Sequence, residues 1–273
     1  MNNYIKASID SSVDEEREIL IALLSNEGYD GFEETPSGLN AYISEEIFDE
    51  ALLKEILQPF EKAVQTEVIA PKNWNAEWES NYEPVIVEDF VAVRAHFHQP
   101  ITNVKHEIII TPKMSFGTGH HATTWQVMKL MQEIDFTNKT VFDFGCGTGV
   151  LAILAEMLGA SSVLAIDNDD WCIENSLENV ANNHCAKTEV KKGEEPPVNR
   201  QFEIILANIN RHILLQNMDV MAKTLGKNGY LLVSGFYANE NSILTDAATV
   251  QGLQLIKASD RHNWSAMLFQ KMN

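Results

Sequence analysis

Apolar and polar positions along this chain fall into two different rhythms. In the first seventy residues short alternating runs flank two helical periods. Asn3 to Ile9 alternates as a strand does, and Ser12-Val13-Asp14-Glu15 reads as a capping box ahead of Ile19, Leu20, Leu23 and Leu24 at helical spacing. Gly28 closes that helix. Gly31–Glu34 and Leu39–Ile43 flank Pro36-Ser37-Gly38, a hairpin signal. Glu46–Leu57 carries Phe48, Leu52 and Ile56 on one stripe, and Ala63–Ile69 forms a last strand. The order β-α-β-β-α-β predicts a small α+β, ferredoxin-like domain over 1–70.

A second rhythm begins further on. Val85–Val87 and Val91–Ala95 predict a small hairpin, and Glu107–Thr111 another strand, together an N-terminal β extension over 85–111. From residue 122 helix and strand alternate. Strands are expected at Thr140–Phe144, Val163–Asp167, Thr188–Lys191, Glu203–Ala207 and Gly229–Ser234, with an antiparallel pair, Gln254–Ala258 and Ala266–Gln270, at one edge. Such alternation predicts an α/β domain over 85–273, a mostly parallel sheet covered on both faces. Between the two domains, 71–84 reads as a helical linker whose Trp74 and Trp78, four apart, share a face.

Composition narrows the classes. No run of about 18 apolar residues marks a membrane span. The start, Met-Asn-Asn-Tyr-Ile-Lys, lacks a signal-peptide layout. Three cysteines without a C-x-x-C spacing suit reduced thiols and a cytoplasmic setting. The net charge is −19, with 16 acids against 5 bases in residues 1–72. That balance argues against binding a phosphate backbone and for an acidic surface that steers a basic partner.

The chemistry centres on Asp143-Phe144-Gly145-Cys146-Gly147-Thr148-Gly149, a strand end turning into a helix. Alternate glycines permit a sharp turn and close approach of a ligand. Dinucleotide folds use G-x-G-x-x-G to seat a pyrophosphate. Here the spacing is G-x-G-x-G, with an acid two residues ahead, which suits a ligand bearing an ammonium or sulfonium: S-adenosyl-L-methionine. Asp167, ending the next strand, is placed to accept both ribose hydroxyls, or to cap the helix that follows. Asn208-Ile209-Asn210 ends the fourth core strand, beside the expected switch point. It lacks the Pro-Pro of adenine and glutamine N-methyltransferases. The loop Phe116-Gly117-Thr118-Gly119-His120-His121-Ala122-Thr123-Thr124 can fold over a ligand or cap a helix. Its adjacent histidines point apart, so no metal is expected.

Taken together these residues resemble one family, the bacterial ribosomal protein L11 methyltransferases. The resemblance rests on Phe116–His120 with Thr123-Thr124, on Asp143–Gly149, on Ile166-Asp167 and on Ala207-Asn208-Ile209, and it extends over the linker and the small N-terminal domain. It implies a class I S-adenosylmethionine-dependent methyltransferase (Rossmann-like) domain preceded by a ferredoxin-like domain that recognises the ribosomal protein. It also implies trimethylation of lysine side chains and of the N-terminal α-amine. Thr124, Gly145, Asp167 and Asn208 would contact the cofactor, with Phe116 and Gly117 beside it. Asp143 and Gly147 belong to the same cofactor site, and Asn208 would orient the acceptor amine. A monomer without membrane or nucleic-acid partners is expected. Other protein amines, RNA, or binding without turnover are the alternatives. One departure stands out: Asn210, Arg211 and His212 follow the Asn-Ile pair where small residues are usual, at the acceptor mouth.

Overall fold

A computed structural model describes residues 3–70, 79, 82–113 and 115–272. The linker tryptophans, Trp74 and Trp78, lie outside the described residues. The chain divides into two compact units, 1–81 and 82–273.

The first unit runs β1 (Tyr4–Asp10), α1 (Asp14–Asn26), β2 (Gly31–Thr35), β3 (Gly38–Ser44), α2 (Glu50–Leu57), β4 (Val64–Ile69). Its sheet has the order β2-β3-β1-β4, with antiparallel pairs throughout. Period-two alternation turns Ile5, Ala7 and Ile9 of β1 and Leu39, Ala41 and Ile43 of β3 inward, against Leu20, Leu24, Leu53 and Leu57 of the helices. Three local expectations change. The capping box at Ser12 does not form: Val13 is the N-cap without a side-chain bond, and Ser11, one residue earlier, donates its hydroxyl to Glu16. Of the α1 stripe, only Leu20 and Leu24 are buried, while Ile19 stays 50% exposed. Helix α2 starts at Glu50 because the Asp49 carboxylate accepts the Ala51 and Leu52 amides at 2.8 and 3.2 Å. The late start sets the buried stripe on Leu53 and Leu57, with Phe48 and Ile56 only partly covered.

The second unit opens with β5 (Val85–Val87), β6 (Val91–Ala95) and β7 (His106–Ile110), antiparallel and then parallel. There follow α3 (Ala122–Met131), β8 (Thr140–Phe144), α4 (Val150–Met157), β9 (Ser162–Asp167), α5 (Asp170–Asn182) and β10 (Thr188–Lys192). The chain continues through β11 (Phe202–Asn208), α6 (Arg211–Thr224), β12 (Leu225–Tyr237), α7 (Asn241–Val250), β13 (Leu253–Arg261) and β14 (Trp264–Lys271). The seven strands take the order β10-β9-β8-β11-β12-β14-β13, and only β14 runs antiparallel to its neighbours. Alternation splits each strand between two cores. Val141, Val163, Ile204 and Leu206 face α3, α4 and α5; Phe142, Leu164, Ile205 and Val233 face α6 and α7. Near-continuous apolar runs are what a sheet covered on both faces needs. The direction of winding reverses between β8 and β11, which opens a crevice at the carboxyl ends of those strands.

Candidate active site

The glycine turn sits in that crevice. Gly145, Gly147 and Gly149 have φ of 73°, 54° and 79°, the left-handed region that side chains resist. A Cβ on Gly145 would lie 2.2 Å from the Ile209 side chain, and one on Gly147 2.2 Å from the Phe116 carbonyl oxygen. The glycines are thus required first by the protein's own packing.

Every amide of the turn is already used. Gly145 and Cys146 donate to the Ile166 carbonyl at 2.9 Å, Thr148 to the Phe116 carbonyl at 2.9 Å, and Gly149 to Cys146 at 2.8 Å. Gly147 donates to Asp167 Oδ2 at 2.9 Å. No nest of free N–H groups is left for a pyrophosphate, which disfavours a dinucleotide on structural grounds. Helix α5 braces the turn from behind: Ser176 Oγ donates to the Gly147 carbonyl at 2.6 Å and Asn179 Nδ2 to the Thr148 carbonyl at 2.9 Å. Thr148 Oγ1 donates to the Gly117 carbonyl at 2.7 Å, fastening the 116–117 loop onto the turn.

A cavity of about 770 Å³ lies above. Its lining divides along the strand order. Over β9 and β10 it is acidic, with Asp167, Asp169, Glu194 and Glu195; no lysine or arginine is among the described lining residues. Over β11, β12 and β14 it is carboxamide and aromatic, with Asn208, Asn217, Gln216, Trp264, His121 and Phe116. Gly145 and Gly147 line the floor between the two ends.

Asp167 is not the helix cap. Asp169 caps α5, accepting the Trp171 amide at 2.8 Å, while Asp167 Oδ1 accepts the Asp169 amide at 3.1 Å. Each Asp167 oxygen accepts one backbone bond, and the residue lines the cavity. Asp143 lies beneath the turn, fully buried and outside the cavity lining, and no full hydrogen bond reaches either oxygen, the Ala152 amide approaching only weakly. Burial, then the nearby Asp167 charge, pushes its carboxyl up to about 7, with only a minor offset from the Ala152 amide. Burial likewise raises the Cys146 thiol.

Asn208 is 9% exposed and donates Nδ2–H to Thr124 Oγ1 at 3.2 Å. Its Oδ1 is buried without a partner. An orphaned acceptor of this kind costs stability unless a ligand supplies the donor. Thr124 is fully buried behind Asn208 and does not line the cavity; Thr123 beside it does. Gly117 is likewise held under the loop, a Cβ there meeting Thr148 Oγ1 at 2.9 Å, whereas Phe116 projects 52% exposed into the opening.

Trp264 lines the cavity without any local sequence signal, beside residues of the 116–124 loop and the Asn210–His212 mouth that the sequence did single out. His121 is the N-cap of α3, its Nδ1 accepting the Thr123 amide at 3.3 Å, and burial lowers its pKa. Its ring packs edge-on against Trp264 at 4.6 Å and beside Phe116 at 5.3 Å. Trp264 arrives from β14, held by Gln126 Nε2 donating to its carbonyl at 3.0 Å. His120 instead contacts the Glu83 carbonyl through Nε2 at 2.8 Å. At the mouth Asn210 is the N-cap of α6, Arg211 pairs with Glu240, and His212 lines the cavity.

Comparison with known proteins assigns the family. The family model described as ribosomal protein L11 methyltransferase (PrmA) matches residues 7–272. The chain belongs to the ribosomal protein L11 methyltransferase family. A relative named ribosomal protein L11 methyltransferase from Porphyromonas gingivalis is 42% identical over 264 residues, covering 92% of this chain and 90% of that protein. One of the same name from Bacteroides fragilis (strain YCH46) is 35% identical over 261 residues, covering 92% and 93%. The crystal structure of a ribosomal protein L11 methylase from Lactobacillus delbrueckii subsp. bulgaricus superposes with a TM-score of 0.65 at 27% identity, covering 70% of this chain and all of that one. A methyltransferase from Pyrococcus furiosus shares the fold alone, with a TM-score of 0.53 at 13% identity over 61% of this chain and 90% of that one. In this L11 methyltransferase family member the acid-lined cavity, poor in free backbone donors, fits a cationic nucleoside cofactor.

Proposed function

We propose that this chain transfers methyl groups from S-adenosyl-L-methionine to amino groups of ribosomal protein L11. Family membership carries the reaction class, and the orphaned Asn208 Oδ1 in the cavity is the observation that ties it to an amine. When bound, S-adenosylmethionine would supply an electrophilic sulfonium methyl to the attacking amine and leave as the thioether S-adenosylhomocysteine, the product ammonium giving its proton to solvent before the next transfer. Asp167 accepts from the ribose hydroxyls at the acidic end. Asp143, buried beneath the turn and out of contact with the cavity, would balance the cofactor's ammonium only through its charge. Asn208 Oδ1 would accept an N–H of the incoming amine in the first two transfers and so orient its lone pair; a dimethylated amine has no N–H left, so the third transfer relies on the cavity walls alone. Holding the two reactants in line contributes up to roughly 7–11 kcal/mol. The amine must arrive deprotonated, from an ordinary value near 10.4 for a lysine. A cationic cofactor beside the amine would lower that value, so the reaction needs no dedicated base.

The first unit serves as a ferredoxin-like recognition domain over 1–70, joined by the 71–84 linker to the catalytic domain over 85–273. Its acidity matches a basic ribosomal protein. The enzyme works as a cytoplasmic monomer, without nucleic-acid contact, and carries lysines and the N-terminal amine to the trimethyl state. No helix among the described residues is long and apolar enough to cross a membrane.

The test is direct. Purified protein, labelled S-adenosylmethionine and free L11 are incubated and the target's mass is read. Increments in methyl steps, ending at three per site, are expected. Cofactor binding without any increment refutes the acceptor.

A further inference from the structure

A second depression, of about 340 Å³, lies beyond the cavity and is lined by Tyr237, Ala238, Asn239 and Asn263. Nothing in the methyl-transfer step uses it. One residue joins it to the cavity: Trp264 lines the cavity, and its ring packs on that of Tyr237 at 4.3 Å. Both hollows therefore border one aromatic pair.

We infer that this depression is a subsite for the acceptor's polypeptide backbone next to the methylated amine. The inference rests on the function proposed above. Strand order supplies the first argument. The acidic half of the cavity lies over β9 and β10, so the acceptor approaches from β11, β12 and β14. The depression is formed at that side, by Tyr237 at the end of β12, the two residues that follow it, and the turn that joins β13 to β14. A chain whose amine lies beside Asn208 leaves across Trp264 and Tyr237.

The second argument is rigidity. The Tyr237 amide donates to Glu240 Oε2 at 2.9 Å and the Ala238 amide to the Asn263 carbonyl at 2.8 Å. His262 and Asn263, with φ of 50° and 66°, form the two-residue loop of the β13–β14 hairpin, and the Arg261–Trp264 pair closes it into one defined turn. A site built before binding loses little ordering entropy when a ligand arrives.

The third is chemistry. The lining carries no charge, so it does not select a lysine, arginine or carboxylate side chain. Asn239 and Asn263 each present a carboxamide, which matches the N–H and C=O of a peptide unit. Tyr237, 49% exposed, offers a flat face for a Cα and its first methylenes.

Steady-state methylation of intact L11 by Tyr237→Ala and Asn239→Ala tests this, with cofactor affinity measured in parallel by titration. Asn239 is exposed and has no described contact with Trp264, so its variant separates the subsite from ring packing. KM for L11 should rise about tenfold in Tyr237→Ala and about threefold in Asn239→Ala, as losing one contact's worth of binding predicts. kcat and cofactor affinity should stay within about twofold in Asn239→Ala. Unchanged KM in both variants, with wild-type turnover intact, overturns the subsite alone. A wild type that binds cofactor and leaves L11 unmethylated overturns the function and the subsite together.

Discussion

Replacing Asp143 with Asn should make the ligand-free protein more stable, by an amount that grows with pH. Its carboxyl is pushed up to about 7 in the folded chain, against an ordinary 3.8. Between those values the unfolded chain ionises and the folded one stays protonated, so stability is lost as pH rises through this window and levels off above about 7. At 1.36 kcal/mol per pKa unit the full penalty is about 4 kcal/mol. Any cost of burying the Asn amide is the same at every pH, so it cancels from the pH dependence. The stability gain of Asp143→Asn over wild type should therefore be about 3 kcal/mol larger at pH 8 than at pH 5, read from urea melts. Cofactor binding reverses the sign of the effect. A cationic ligand near Asp143 draws its pKa back down, so binding near pH 7 should release about half a proton, visible by calorimetry in two buffers of different ionisation enthalpy. A pH-independent stability difference, together with no proton release, would refute the assignment of this buried acid to the cofactor's charge.

Three further outcomes follow from the site. Asn208→Ala should lower kcat for L11 about tenfold or more while leaving cofactor affinity within about threefold, since the amide oxygen acts on the amine; a matching loss of cofactor affinity would assign Asn208 to binding instead. Gly147→Ala should destabilise the protein by about 2–3 kcal/mol in denaturant titration, because its Cβ meets the Phe116 carbonyl at a left-handed φ. KM for L11 should rise severalfold between low and high salt while cofactor affinity barely moves; a flat profile would remove the electrostatic role of the acidic first unit.

Much of the fold was legible because hydrophobic periodicity is a local property. The run Thr140–Phe144 is a strand flanked by turn signals, and the structure begins and ends it at those residues. The switch-point crevice follows from the β-α alternation and right-handed crossovers, so Asp143, the glycines, Asp167 and Asn208 could be placed at strand ends from spacing alone. Helix starts in the first unit were less secure. Ser12 against Ser11, and Phe48 against Leu53, differ by which side chain reaches which amide, a matter of a few ångströms that spacing does not encode.

Tertiary structure alone decided how the site is closed. Trp264 lies more than a hundred residues from the glycine turn and reaches the cavity because β14 inserts antiparallel between β12 and β13. Thr123 lines the cavity while Thr124 meets Asn208, a division between adjacent residues that follows from how α3 packs against β11. The same holds for the turn's amides. Local sequence offered them to a ligand, but Ile166, Asp167 and Phe116, brought in by β9 and the preceding loop, take them all. Strand and helix periods are written into neighbouring residues, whereas the partners of a buried polar group are chosen by packing between segments far apart in the chain.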